Sequence, residues 1–205
     1  MLEVYTRPYD PQRPQVCLDE TSRQLLGEVI PPVPVAPGRP ARQDYEYERR
    51  GVCNVFLVAE PLAGWRDVMV GDRRTRLDWA HCIKDLVGVH YPDAERIVLV
   101  QDNLNTHTPA SLYEAFEPAE ARRLADRLEL HYTPKHGSWL NMAKIELAVL
   151  ANQSLDRRLA DQATLQQEVA AWQAARNATG RGVDWRFTTE DAQIKLKHLS
   201  PVIQN

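Results

Sequence analysis

Apolar residues in this chain gather in short runs that stop at a carboxylate or at a turn. Ile97 to Val100 gives way to Gln101 and Asp102, and Val16 to Leu18 gives way to Asp19. Runs of this length, bounded by polar residues, predict buried strands. GVCNVFLVAE and WRDVMVG, separated by Pro61 to Gly64, predict a hairpin. RTRLDWAHCIKDLVGVHY carries the mixed spacing of an amphipathic helix. Thr108 and Pro109 predict a helix start, and Pro118 a break before EARRLADRL. LELHYT reads as a further strand, Pro134 to Ser138 as a loop, and residues 139 to 158 as one helix. Thr164 and Gln167 stand at capping-box spacing before a helix that ends near Gly180. Thr188 and Asp191 repeat that spacing before a last short helix ended by Pro201.

Strand, hairpin, helix, strand, helix, strand, helix, helix is an α/β order. It predicts a mixed sheet flanked by helices on both faces. PPVPVAPGRP, residues 31–40, is too poor in backbone donors for sheet or helix and reads as an extended surface connection. With 205 residues, 43% hydrophobic and 26% charged, the chain has material for one globular domain, residues 1–205. Cys17, Cys53 and Cys82 are odd in number and far apart, which fits buried thiols rather than a disulfide framework or paired zinc ligands. A net charge of -3 argues against strong overall attraction to nucleic acid and leaves local patches open. The N-terminus has no basic region followed by an apolar stretch and no run is long enough to span a bilayer, so a cytoplasmic protein with no membrane partner is expected.

The chemistry sits where the apolar runs end. A buried strand that delivers a carboxylate at its C-terminal end is a common device of α/β folds, and acids gathered from separate elements suit a divalent metal and phosphate. Asp19 and Asp102 are the candidates. Glu20 adjoins Asp19, but neighbours on a strand point to opposite faces, so only one of them is expected in a common site.

The stretches VCLDETSRQL, DYEYERRGVCNVFLVAEPLAGWR, LVQDNLNTH, LHYTPKHGSWLNMAKIELAVL and DWRFTTEDAQIKLKHL resemble the catalytic part of transposases of the insertion sequence 630 family, relatives of the mariner group. The resemblance covers nearly the whole chain. It implies a ribonuclease H-like fold, a DDE acidic triad, two Mg²⁺ or Mn²⁺ ions, and cleavage and strand transfer on transposon-end and target DNA. By position, the first acid falls on Asp19 and the second on Asp102. The third acid follows Trp-Leu-Asn-Met-Ala, and here that place holds Lys144. The resemblance also implies a helix-turn-helix region, for which the segment ahead of Asp19 leaves no room. DNA-end recognition is then expected from a partner chain, or the protein works as a homodimer.

An ammonium where the third carboxylate belongs repels a dication instead of holding it, by several kcal/mol at an effective dielectric of about 20. The expectation is an impaired transposase core with a weakened second metal site; the alternative is a non-catalytic remnant or regulator that binds DNA or an intact transposase. Glu146 is the candidate substitute ligand, yet a helix turns about 100° per residue, so two positions on it lies on nearly the opposite face from Lys144. His107, Lys135, His136 and Trp139 are candidate DNA contacts, against a turn histidine, a solvated loop and an aromatic used for packing. Arg122, Arg123, Arg157 and Arg158 form local basic clusters, read first as solvated helix surface.

Overall fold

The computed structural model describes residues 2–135, 137–183, 190–191 and 194. Five strands form one sheet: β1 (Gln15–Glu28), β2 (Tyr47–Glu60), β3 (Trp65–Gly71), β4 (Ile97–Gln101) and β5 (Leu128–Tyr132). Their order is β3-β2-β1-β4-β5. β1, β2 and β3 run antiparallel to one another in turn, whereas β4 lies parallel to both β1 and β5. The predicted hairpin is β2 and β3, and the mixed sheet is the one expected.

Strand alternation sends successive β1 residues to two separate cores. Cys17 packs with Leu57, Val100, Leu150, Val169 and Trp172 under α4 (Ala143–Gln153) and α5 (Gln162–Ala178). Leu18 packs with Phe56, Trp79, Ile83, Leu99 and Leu124 under α1 (Arg76–Asp85), α2 (Pro109–Ala115) and α3 (Pro118–Asp126). Helices therefore cover both faces, and β4, whose residues are all buried, reads as the continuous apolar run that such a sandwich requires.

Local chemistry sets the helix boundaries. Thr75 and Asp78 form a reciprocal capping box at the start of α1, which continues through a π turn at Leu86–His90. Pro109 and Pro118 each stand in the first turn of their helices, where a missing N–H costs nothing. The single helix expected over 139–158 is divided. A 3-10 turn, Ser138–Leu140, precedes α4, and Asn141, with ψ 116, separates them. The Asn141 side chain donates to the Leu18 carbonyl at 2.7 Å, so this break pins the start of α4 to β1. The cap of α5 is Asp161 rather than Thr164: its carboxylate accepts from the Thr164 N–H at 2.7 Å. The helix expected after Thr188 falls largely outside the described residues.

Residues 31–40 run exposed, with only the isolated bridges Val33 to Arg42 and Ala36 to Arg39. β1 and β2 extend toward this connection through a register shift at Leu25 and Leu26, opposite Gly51, whose φ of 116° places the bulge at the residue type that tolerates it. No helix among the described residues is long and apolar enough to cross a membrane.

Candidate active site

Asp19 lies on β1, 2% exposed, and its Oδ2 is 2.7 Å from Lys144 Nζ in the first turn of α4. Its Oδ1 accepts from the Glu20 N–H at 2.9 Å, and Asn141 Nδ2 stands 3.4 Å from Oδ2. Burial pushes the Asp19 carboxyl above the usual aspartate range, Lys144 pulls it back, and the charge of Asp102 adds to the rise. The β1–β4 register pairs Cys17 with Val100; continued two residues beyond that pair, one past the end of β4, it sets Asp19 beside Asp102.

Asp102 follows β4 directly. Its carboxylate is flanked by His107: Oδ1 lies 2.7 Å from His107 Nδ1, and His107 Nε2 lies 3.4 Å from Glu20 Oε2. One ligand atom from each of Glu20, Asp102 and His107 can be chosen so that all lie within 4.8 Å of one another. Glu20 faces away from Asp19, as strand alternation requires, but it is not excluded from the neighbourhood of Asp102. Beyond the last paired residue of β4 the alternation no longer dictates direction, and the turn Asn103 to His107 folds the imidazole back over Glu20. Burial also raises the Glu20 carboxyl, opposed by His107.

His107 is held from behind. Its carbonyl accepts from Gln101 Nε2 at 2.9 Å and from the Tyr132 hydroxyl at 3.0 Å. Gln101 Oε1 in turn accepts from Trp79 Nε1 at 3.0 Å, and the Trp79 ring stacks on the imidazole at 6.0 Å. His107, Gln101 and Trp79 are all buried. Sequence reading set Glu20 aside and missed Gln101, Trp79 and Asn141; the one available signal was a pair of amide and indole side chains inside otherwise apolar stretches.

The remaining candidates divide. Glu146 does not turn toward Asp19 or Asp102. Arg66 on β3 grips it with Nε to Oε2 at 2.8 Å and Nη2 to Oε1 at 3.0 Å, and Arg176 adds a contact at 3.2 Å. Both partners of the Arg66 pair are about 2% exposed. A carboxylate committed to two guanidinium groups on another side of α4 is no substitute ligand. Lys135 is exposed in the turn before α4 and Trp139 is 37% exposed on the 3-10 turn, while His136 lies outside the described residues. Arg122 and Arg123 pair with Asp126 and Glu120 on α3, which fits the solvated-helix reading, whereas Arg157 and Arg158 lie past the end of α4 and on no helix; Arg157 pairs with Glu168, and Arg158, half-buried, pairs with Glu28 and donates to the carbonyls of Asp44, Tyr45 and Glu46.

Two divalent ions a few ångströms apart need bridging and terminal carboxylates. Asp19 spends its charge on Lys144, and position 144 offers no oxygen, so the residues at Asp19, Asp102 and Lys144 do not fit a two-ion site.

A family model described as DDE superfamily endonuclease matches residues 14–166. Among solved structures, the Mos1 mariner paired end complex with Mn superposes with a TM-score of 0.55 at 16% identity, over 85% of this chain and 52% of that one. The Mos1 transposase paired-end complex with left transposon end gives a TM-score of 0.56 at 16% identity, over 88% and 54%. The chain thus spans about half the length of these structures, and at such identity the likeness is one of fold, the ribonuclease H-like core of transposases. No curated protein matches the chain.

Proposed function

The chain belongs to the DDE superfamily endonucleases, and from that premise we propose that it is the catalytic core of an insertion sequence 630 type transposase whose strand-cleaving chemistry is silenced at Lys144. The observation that carries this reading is the 2.7 Å contact between Lys144 Nζ and Asp19 Oδ2. DDE chemistry positions divalent ions on carboxylates so that one activates the attacking oxygen and another stabilises the leaving oxygen of a phosphodiester. Here the ammonium neutralises the first acid and stands where the third belongs. Asp102 keeps a carboxylate at the strand end, about a fifth exposed. The ligands of the proposed parent reaction are Mg²⁺ or Mn²⁺, its substrate is DNA at transposon ends and targets, and the reading of end sequence falls to a helix-turn-helix partner or a second copy.

Nicking of supercoiled plasmid in Mg²⁺ and in Mn²⁺ tests it, comparing the chain with its Lys144→Glu variant. The variant is expected to cut at least about a hundred-fold faster, the equivalent of roughly 3 kcal/mol in the barrier. Equal and robust cutting by both defeats the silencing; no cutting by either favours a non-catalytic regulator that binds DNA or an intact transposase.

A further inference from the structure

The Tyr5 hydroxyl stands between the two elements that carry position 144 and Asp19. It donates to Leu140 O at 2.9 Å and accepts from the Met142 N–H at 3.4 Å, so it closes on both sides of the break at Asn141 that precedes α4. Its oxygen also lies 3.6 Å from Cys17 Sγ, and Cys17 stands two residues before Asp19 on the same face of β1. Tyr5, Cys17, Leu140, Asn141 and Met142 are all buried. Burial keeps the phenol above its ordinary range, so it remains a protonated donor. The phenol is itself held in place. Val4 O accepts from Gln15 Nε2 at the start of β1, and Arg7 and Arg13 tie the residues that follow to Glu129 on β5.

We infer that Tyr5 is a positioning residue: its hydroxyl fixes the start of α4 against β1 and so sets the distance between residue 144 and Asp19, which makes the Leu2–Thr6 turn a strap behind the site. Asn141 supplies half of that attachment, donating to Leu18 O at 2.7 Å and accepting from the Ala143 N–H at 3.1 Å. Tyr5 supplies the other half, serving the backbone groups on either side of Asn141. Without the hydroxyl, a buried carbonyl and a buried N–H lose this partner, and the chain has to shift to satisfy them. Two residues beyond Met142 lies Lys144, so a shift of the break moves Nζ away from the buried carboxylate. A misplacement of about 1 Å at a reacting group is enough to cost roughly a hundred-fold in rate. For cleavage this rests on reading Asp19 and position 144 as the first and third acid places, whereas the ion pair as it stands needs no such reading.

Reductive methylation of the full chain with formaldehyde and a borohydride, followed by peptide mass spectrometry, tests it. Pairing with Asp19 shields Lys144 Nζ, and Tyr5→Phe is expected to speed its labelling by about three-fold or more while Lys84 on α1 stays unchanged. Ile83→Val, a small packing loss in the other core, controls for general loosening and is expected to leave Lys144 at the wild-type rate. In the Lys144→Glu background, Tyr5→Phe is expected to lower kcat for plasmid nicking by about ten-fold with KM held within about two-fold. Failure of Lys144→Glu to cut counts against the proposed function alone, because the labelling decides the role of Tyr5 by itself. Lys144 labelling within about 1.5-fold of wild type in folded Tyr5→Phe overturns the inference, as does an equal rise in Ile83→Val or an unchanged kcat where Lys144→Glu cuts. Circular dichroism checks each fold. If Tyr5→Phe fails to fold, Gln15→Met, which releases Val4 O and keeps the phenol, takes its place with the same outcomes.

Discussion

Lys144 reaches Asp19 from a helix start that Asn141 fastens to the strand bearing that acid: the Asn141 amide donates to Leu18 O, and three residues later the ammonium meets Asp19 Oδ2 at 2.7 Å. The stem of Lys144 keeps contact with water, 38% exposed, while the carboxylate is 2% exposed. Burial dominates, and the Asp19 carboxyl sits above its ordinary 3.8 despite the ion pair. A folded-state value raised above the unfolded one means that the neutral form stabilises the fold below the unfolded value. That contribution is lost as pH rises through the folded value. At pH 7 the charged Asp19 therefore costs stability, and Asp19→Asn is expected to raise Tm. The gain should narrow as pH falls toward the ordinary aspartate range. Thermal scans from pH 7 to pH 4 check this, and a lower Tm for the variant at pH 7 contradicts it.

The Glu146 and Arg66 pair carries the opposite balance. Burial would raise the Glu146 carboxyl, but Arg66 and then Arg176 outweigh it and the result is lowered. Arg66 also donates to the carbonyls of Gly64 and Arg181, so one guanidinium ties β3, the β2–β3 turn and the chain after α5 to α4. Gly64, with φ 68°, lets the Gly180 carbonyl pass where a Cβ would collide. Breaking a buried pair strands the other charge, at a cost of about 3 to 5 kcal/mol. Arg66→Met alone is expected to lose that much in urea unfolding, and Arg66→Met with Glu146→Leu to recover a large part of it. A double variant as unstable as the single one would show that the pair's geometry, rather than the stranded charge, sets the cost.

Acid should loosen the N-terminal segment only as pH falls toward the Glu129 value. Val4 and Tyr5 are buried there, the Tyr5 hydroxyl donates to Leu140 O at 2.9 Å, and Arg7 and Arg13 both close on Glu129 of β5. Burial works against the charge of Glu129, but His131, Arg7 and Arg13 prevail and bring its carboxyl from 4.5 down to about 2. A depressed value contributes stability above the unfolded pKa and loses it as pH falls through the folded one. The gap in urea midpoint between the wild-type chain and Glu129→Gln is expected to be full at pH 7, to shrink from pH 4.5, and to close near pH 2. A gap that persists unchanged to pH 2 would assign it to packing.

The exit of β4 was legible because burial on both faces turns a strand into an unbroken apolar run, and the first carboxylate after that run, Asp102, marks it. Asp19 was found by the same pattern for a different reason: it ends the apolar run of β1 but not the strand, which continues to Glu28 beside β2. Helix phase was legible too: two positions apart on α4, Lys144 meets Asp19 while Glu146 meets Arg66. The partner itself was not. Arg66 looks like any polar position of an alternating strand, and it lies 80 residues from Glu146. Glu20 was set aside by a rule that holds within the sheet and lapses one residue beyond it, where Asp102 and the returning His107 are free to choose its face. The division of the 139–158 helix rests on Asn141 bonding to a strand carbonyl more than a hundred residues away, a long-range contact that outranks local propensity.

The support behind His107 makes the last prediction. Trp79 Nε1 donates to Gln101 Oε1 at 3.0 Å and Gln101 Nε2 donates to His107 O at 2.9 Å, all three residues being buried. Gln101→Leu strands the indole N–H, an orphan worth about 1 to 3 kcal/mol, although Tyr132 still serves the His107 carbonyl. Trp79→Phe removes that donor but strands Gln101 Oε1 and gives up part of the packing on the imidazole. The two changes together remove donor and acceptor at once, so the double variant is expected to be more stable than the sum of the single losses by about 1 kcal/mol or more. Urea unfolding of the four proteins measures that coupling. Strict additivity would mean that the indole and the amide do not depend on each other, and the stack over His107 would then have to rest on ring packing alone.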